Sequence, residues 1–180
     1  FPFDDGSGRF EARAQFSDTL IDYKTGWPRL EEVHGEIVFL GRSMTVHGQG
    51  GKMLSSEVGA TTAHVPDLDA KDVRLDIQGR VRGPGQDGMR VLLETPLRER
   101  FAEHLAGSTI SGAVDIALDL SFLLRSDQVS LDGDVTFQDN DLDLALLGVR
   151  LEDTHGTLHI TDESLGGEGL QGRLLDLPIG

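Results

Sequence analysis

Apolar and polar residues alternate strictly along several stretches of this chain. In VDIALDLSF, Val114, Ile116, Leu118, Leu120 and Phe122 fall on one parity, and Asp115, Ala117, Asp119 and Ser121 on the other. VRLDIQGRV sets Val73, Leu75, Ile77 and Val81 against Arg74, Asp76, Gln78 and Arg80, and VSLDGDVTF continues with Val129, Leu131, Val135 and Phe137. LDLALL offers Leu142, Leu144 and Leu146, and RFEARAQF offers Phe10, Ala12, Ala14 and Phe16. A period of two places alternate side chains on opposite faces of a strand. One dry face and one wet face is the signature of half-buried antiparallel sheet, whereas buried parallel strands read as continuous apolar runs.

Turn-forming clusters punctuate the strands: GRS, GQGGK, GPGQDG, RSDQ, QDND, TDES and GGEG. They predict a meander of hairpins. One region departs from the period of two. In TPLRERFAEHLAG, Thr95 suits an N-cap, Pro96 the first helical position and Gly107 the stop, while Leu97, Phe101 and Leu105 recur every four residues. The preceding DGMRVLLE extends the helical reading, with Met89, Leu92 and Leu93 facing inward. The expected fold is mainly β: a curled antiparallel meander of repeated hairpins forming an open hydrophobic groove. One short helical insertion falls at about residues 88–106, and residues 1–180 form a single β-groove segment.

Two decapeptides nearly repeat. LEEVHGEIVF at 30–39 and LEDTHGTLHI at 151–160 share Leu, Glu, His and Gly in register, and Gly48 then matches Gly169. A weaker third copy, VSLDGDVTFQDNDLDL, places Gly133 against Gly35 and Phe137 against Phe39. A repeated structural hairpin explains these matches more economically than a repeated histidine site.

Composition narrows the classes of function. Glycine supplies 23 of 180 residues, against a usual share of roughly 7%, and suits strands and tight turns. The formal net charge of −15 opposes direct electrostatic binding to nucleic acid or to an anionic membrane surface. Cysteine is absent, which removes thiolate nucleophiles, zinc–thiolate sites and disulfides. No run reaches the ~18 apolar residues of a transmembrane helix. The opening FPFDDG has neither an initiator Met nor a signal sequence, so the chain reads as a piece of a longer protein with any anchor outside it.

The polar residues offer little chemistry. His155 and His159 share one face of a strand but lie about 13 Å apart at ~3.3 Å per residue, too far for one metal ion. DNDLD resembles a calcium loop until Leu144 and Arg150 occupy the positions that need Gly and Glu. GPGQDG matches G-x-G-x-x-G, but it follows a strand rich in Arg, and Pro84 removes an amide a phosphate would use; it reads as a turn. Neither G-x-S-x-G nor H-E-x-x-H occurs. No catalytic residue, metal ligand or cofactor is expected.

The order of WPRLEEVHGEIVFLGRSMTVHGQGG, AHVPDLDAKDVRLDIQGRVRGPGQDGMRVLLETPL, GSTISGAVDIALDLSFLL, VSLDGDVTFQDNDLDL and LEDTHGTLHITDESL resembles the YhdP-type proteins. These belong to the AsmA-like superfamily that includes TamB. The resemblance covers about Trp27 to Gly180, with the TPL at Thr95–Leu97 its most characteristic mark. It implies a long periplasmic protein of Gram-negative bacteria, anchored in the inner membrane outside this segment. It further implies a curled sheet with a hydrophobic groove through which phospholipid moves towards the outer membrane, as in bridge-like lipid-transfer proteins. The implied partners are phospholipid acyl chains and flanking segments of the same longer chain, with membrane contact made elsewhere. The family transfers no catalytic residue.

The residues meet this reading from their own side. A lipid tail crossing water exposes each methylene at ~0.8 kcal/mol, and a continuous apolar stripe removes most of that cost. Val114, Ile116, Leu118, Leu120, Phe122, Leu131, Val135 and Phe137 are the expected lining of such a groove. Each also reads as ordinary core. The same pattern suits a closed β-sandwich for binding or adhesion, and, less well, a polysaccharide-acting β-helix with clustered Asp.

Overall fold

The computed structural model describes residues 8–126 and 128–175. Ten strands form one antiparallel sheet: β1 (Glu11–Ile21), β2 (Leu30–Leu40), β3 (Ser43–Met53), β4 (Ser56–Val65), β5 (Arg74–Pro84), β6 (Thr109–Ile110), β7 (Ala113–Leu123), β8 (Val129–Leu144), β9 (Val149–Thr161) and β10 (Leu165–Leu175). The spatial order is β1-β2-β3-β4-β5-β7-β8-β9-β10, with short β6 on β8. Strands consecutive in sequence are therefore sheet neighbours, except that β6 leaves the path and β5 pairs directly with β7. There α1 (Gly85–Glu94), α2 (Arg98–Leu105) and β6 intervene. The pairing is antiparallel at every ladder, which is the meander expected and not the parallel coil of a β-helix.

Apart from β6, the strands run to 10–16 residues, well beyond the usual 5–6. Several clusters that read as turns lie inside them. GRS, RSDQ and TDES do separate paired strands, but GQGGK lies within β3, QDND within β8 and GGEG within β10. In place of reversals, the chain makes bulges. Asp18, Glu32, Asp139 and Asp153 adopt positive φ of 50°, 53°, 57° and 49°, and Gly169 of 61°. Each sits where the register slips. A bulge kinks a strand and adds twist without ending it, so these residues bend the sheet.

GPGQDG is likewise not a hairpin turn. Pro84 closes β5 and Gly85 opens α1, where Pro84's missing N–H costs no helical bond. Gly85 donates its N–H to Gly112 O at 2.9 Å, and a Cβ there would stand 2.3 Å from Ile110 Cγ2.

The repeat proves to be three strands long. Phe16 pairs with Gly35 just before the Asp18 bulge, and Phe137 pairs with Gly156 just before the Asp139 bulge. Glu32 and Asp153 bulge at equivalent places in the two decapeptides. The unit β1–β2–β3 thus recurs as β8–β9–β10. VSLDGDVTFQDNDLDL corresponds to β1, and Phe137 to Phe16 instead of Phe39. The bulge decides this alignment, because it fixes which residue leaves the ladder. The repeat serves geometry, as expected: His34 and His155 are both exposed while the backbone beside them carries the irregularity.

Gly35 is the tightest point of this unit. A Cβ there would stand 2.2 Å from His47 O and 3.1 Å from Gly48 Cα, both backbone atoms of the paired strand. Gly35→Ala is expected to cost about 1–3 kcal/mol in urea unfolding, as overpacking does. Gly166→Ala, with open space at its Cβ, is expected to be nearly neutral. Equal effects would contradict the close approach.

Candidate functional site

Directly paired residues of an antiparallel sheet point to the same side. One level therefore runs Ala14, Ile37, Val46, Ala63, Ile77, Leu120, Leu131 from β1 to β8, apolar at every step. The next level on this face runs Phe16, Gly35, Gly48, Thr61, Gly79, Leu118, Gly133, Ile160, Leu165, crossing from β1 to β10. Between these two, on the opposite face, lie Gln15, Glu36, His47, Thr62, Gln78, Asp119, Asp132 and Thr161, polar at every step. The alternation along each strand has become a mainly apolar and a mainly polar face, with Thr61 interrupting the second apolar-side level.

Part of the apolar face is covered, by helices and not by a second sheet. α1 and α2 follow β5 and turn their apolar sides towards β7–β9. Leu97 and Phe101 are buried with Val114, Phe122, Val129, Val135, Phe137, Leu142 and Ile160, and Val91, Leu92, Leu105 and Ile110 pack around them. Met89 is buried as expected, but Val91, not Leu93, joins the cluster. Thr95 organises the joint between the helices: its Oγ1 donates to Val91 O at 2.7 Å and accepts from Leu97 N at 3.2 Å. Asp87, in the first turn of α1, accepts from Ser55 N and Ser56 Oγ, each at 2.8 Å, and ties the helix to the β3–β4 turn. Arg100 pairs with Asp162 beyond β9 and ties down α2. The β1–β2 loop adds Trp27, whose ring meets Phe122 edge-on at 5.1 Å and 82°. Tyr23 lies 6.5 Å from the same ring, and its hydroxyl is pushed up to about 12 by burial and then by Asp22.

A cleft of about 160 Å³ remains between the helices and the sheet. It receives seven of the eight residues expected from sequence: Val114, Ile116, Leu118, Leu120, Leu131, Val135 and Phe137. Phe122 stands apart from it, edge-on to Trp27. The eight divide by burial. Val114, Phe122, Val135 and Phe137 are buried in the core beneath the helices, whereas Ile116, Leu118, Leu120 and Leu131 are half-buried. Towards β1–β4, Ile37, Phe39, Met44, Val46 and Ala63 lie outside the helix-covered cluster and are only half-buried.

Alternation gave no hint of Asn140, which is fully buried within QDND. Its Nδ2 donates to Ser111 O at 2.6 Å and Ala113 O at 3.0 Å, and its Oδ1 accepts from Gln138 N at 2.7 Å. It staples the β8 bulge to the start of β7 and is occupied structurally. Among the described residues, no group of three or more His, Asp and Glu is placed to hold a metal ion.

The polar face carries one electrostatic pair of note. His159 Nδ1 lies 2.8 Å from Asp134 Oδ1, and Nε2 lies 3.8 Å from Asp132. The hydrogen bond to Asp134 foremost, with the two carboxylate charges, holds the imidazole pKa above its ordinary 6.5. A raised folded-state pKa adds stability that is complete below the unfolded value and fades as pH rises through the folded one. NMR titration is expected to place His159 above 6.5 and Asp134→Asn to bring it down; an unmoved midpoint would exclude the pairing.

An open antiparallel sheet with one mainly apolar face, partly roofed by a helical pair, defines the class of structure. The chain belongs to the YhdP protein family, which it matches along residues 1–180. It is similar to the intermembrane phospholipid transporter YhdP of Escherichia coli (strain K12), 24% identical over 179 residues, or 99% of this chain. The chain spans 14% of that relative's length. No solved structure matches it, and no helix of the described residues is long and apolar enough to cross a membrane.

Proposed function

We propose that this chain is one section of a periplasmic lipid-transfer bridge, anchored at the inner membrane by sequence outside it, that shields phospholipid acyl chains on their way to the outer membrane. The observation carrying this reading is the level Ala14, Ile37, Val46, Ala63, Ile77, Leu120, Leu131, apolar at every step from β1 to β8 and perpendicular to the strands. Strands lie about 4.8 Å apart, so the seven strands from β1 to β8 extend this apolar level for roughly 29 Å. An acyl chain, half of a ~30 Å hydrocarbon core, covers about three strand spacings of it. Family membership and the likeness to a phospholipid transporter support the same assignment. Flanking parts of the longer chain would continue the surface past β1 and β10. The section acts by solvation: removing methylenes from water at ~0.8 kcal/mol each needs no covalent step.

Within the section, Ile116, Leu118, Leu120 and Leu131 would touch the tails, while Val114, Phe122, Val135 and Phe137 support them from the core. A phospholipid bearing a diazirine on its acyl chain tests this. After illumination, adducts should map to the half-buried residues of β7 and β8 and to Ile37 and Val46. Adducts scattered equally over Gln78, Asp119 and Asp132 on the polar face would refute the proposal.

A further inference from the structure

Trp27 is the single tryptophan of the chain. Its ring is buried in the cluster of Leu97, Phe101 and Phe122, yet its Nε1–H, also buried, has no acceptor among the described residues. Folded proteins keep few such groups, because a buried donor has given up its bond to water without replacement. Among the described residues the indole N–H is thus a donor held in a largely apolar setting with its bond unmade.

Its position indicates what would complete it. On one side Trp27 lines the apolar cleft of Leu97, Leu120 and Leu131; on the other it lines a small surface pocket with Arg90, Glu94 and Thr95. A ligand reaching from the cleft to the surface pocket would therefore pass Trp27 between hydrocarbon and a guanidinium. A glycerophospholipid presents the matching groups in the same order: acyl chain, ester carbonyl, phosphate. Arg90 is half-exposed and, among the described residues, pairs with Glu94 at 3.4 Å, an ion pair weak enough to exchange for a phosphate.

We infer that Trp27 Nε1 donates to an oxygen of a bound glycerophospholipid, at the point where its tail enters the apolar cleft. The inference rests on the reading of that face as an acyl-chain surface. Entry requires the helix joint to shift. A cleft of about 160 Å³ is near the size that accepts one benzene, so a full tail does not fit beneath the helices as they stand. Pro96, whose Cδ would lie 3.9 Å from a Cβ at Gly26, and Leu97 form the part of the joint packed on the Trp27 loop. Displacing them opens the seat, and the ligand then supplies the missing acceptor.

One indole means one side-chain cross-peak in a ¹⁵N-correlated spectrum, so the test reads the donor directly. The 180-residue chain is titrated with a diacyl phosphatidylcholine and with its dialkyl-ether counterpart, and binding is confirmed by native mass spectrometry. A downfield shift with both lipids identifies an oxygen the ether lipid keeps, in the phosphate or the ether linkage, and a shift with the diacyl form alone identifies the ester carbonyl; either supports the inference. Trp27→Phe, which keeps a ring and removes the donor, is expected to bind the same lipid about five-fold more weakly. Bound lipid with an unmoved indole peak would overturn the role of Trp27 and leave the acyl-chain surface standing. Absence of any bound lipid would overturn both.

Discussion

Leu118→Asp is expected to reduce phospholipid cross-linking about tenfold or more while leaving the sheet folded. Leu118 is half-buried, faces the cleft, and stands in register between Gly79 and Gly133. Its glycine neighbours make it the bulkiest group at this level of β5, β7 and β8, so any tail crossing these strands passes over it. A carboxylate there keeps its water as long as the face is empty. Under an acyl chain it must be desolvated, and each 1.4 kcal/mol of that penalty is a factor of ten in binding. Asp119→Asn, one residue along on the polar face, provides the control and should leave cross-linking unchanged. Far-UV circular dichroism and a urea midpoint verify the fold of both variants. Equal lipid labelling in Leu118→Asp and the parent would remove the acyl chain from this surface. Phe137 does not serve the same purpose: at 2% exposure it belongs to the core, and a charge there would unfold the protein before lipid binding could be read.

The largest loss of stability is expected from Phe122→Ala, about 3–5 kcal/mol. Phe122 is 1% exposed and carries the edge-on contact with Trp27, the T-shaped contact with Tyr23 and, at 5.6 Å, the ammonium of Lys24. Truncation leaves a hole bounded by a rigid sheet on one side and the β1–β2 loop on the other, so little collapse can relieve it. The urea midpoint should fall by that amount divided by the unchanged m-value, and Trp27 emission should shift to the red as water reaches the ring. A loss below about 1 kcal/mol would show that the aromatic cluster is not part of the cooperative core. The contrasting expectation for Leu118→Asp, binding lost and stability largely kept, separates the working surface from its support.

Some of this was legible in the residues. The parity of VDIALDLSF placed Val114 to Phe122 on one face, and the four-residue recurrence of Leu97, Phe101 and Leu105 placed a helix where α2 stands. Both are local: a period of two or of nearly four is written in adjacent residues and survives whatever they pack against. The turn clusters were less informative. Gly, Asp and Asn at positive φ serve a reversal or a bulge equally well, so QDND and GGEG carry the same letters as a hairpin tip while bending a continuous strand. Asn140 was hidden for the same reason, since its partners Ser111 and Ala113 lie on the other side of a hydrogen-bonded pair of strands. Whether the eight apolar residues were surface or core could not be read locally either, because the answer depends on where the helical pair comes to rest.

Spacing along a single strand suffices to mark the dry side of β5, β7 and the first part of β8, a helical interruption at about residues 88–106, and a repeated glycine-centred hairpin. Spacing does not show that Ala14 to Leu131 line up as one apolar level across seven strands, or that α1 and α2 lie over β7–β9 while Ile37, Phe39 and Val46 stay half-open. The physical reason is that register and coverage are set by pairings between residues far apart in the chain. Bulges at Asp18, Glu32, Asp139 and Asp153 choose which residues meet, and a one-residue slip at any of them would turn apolar levels into polar ones.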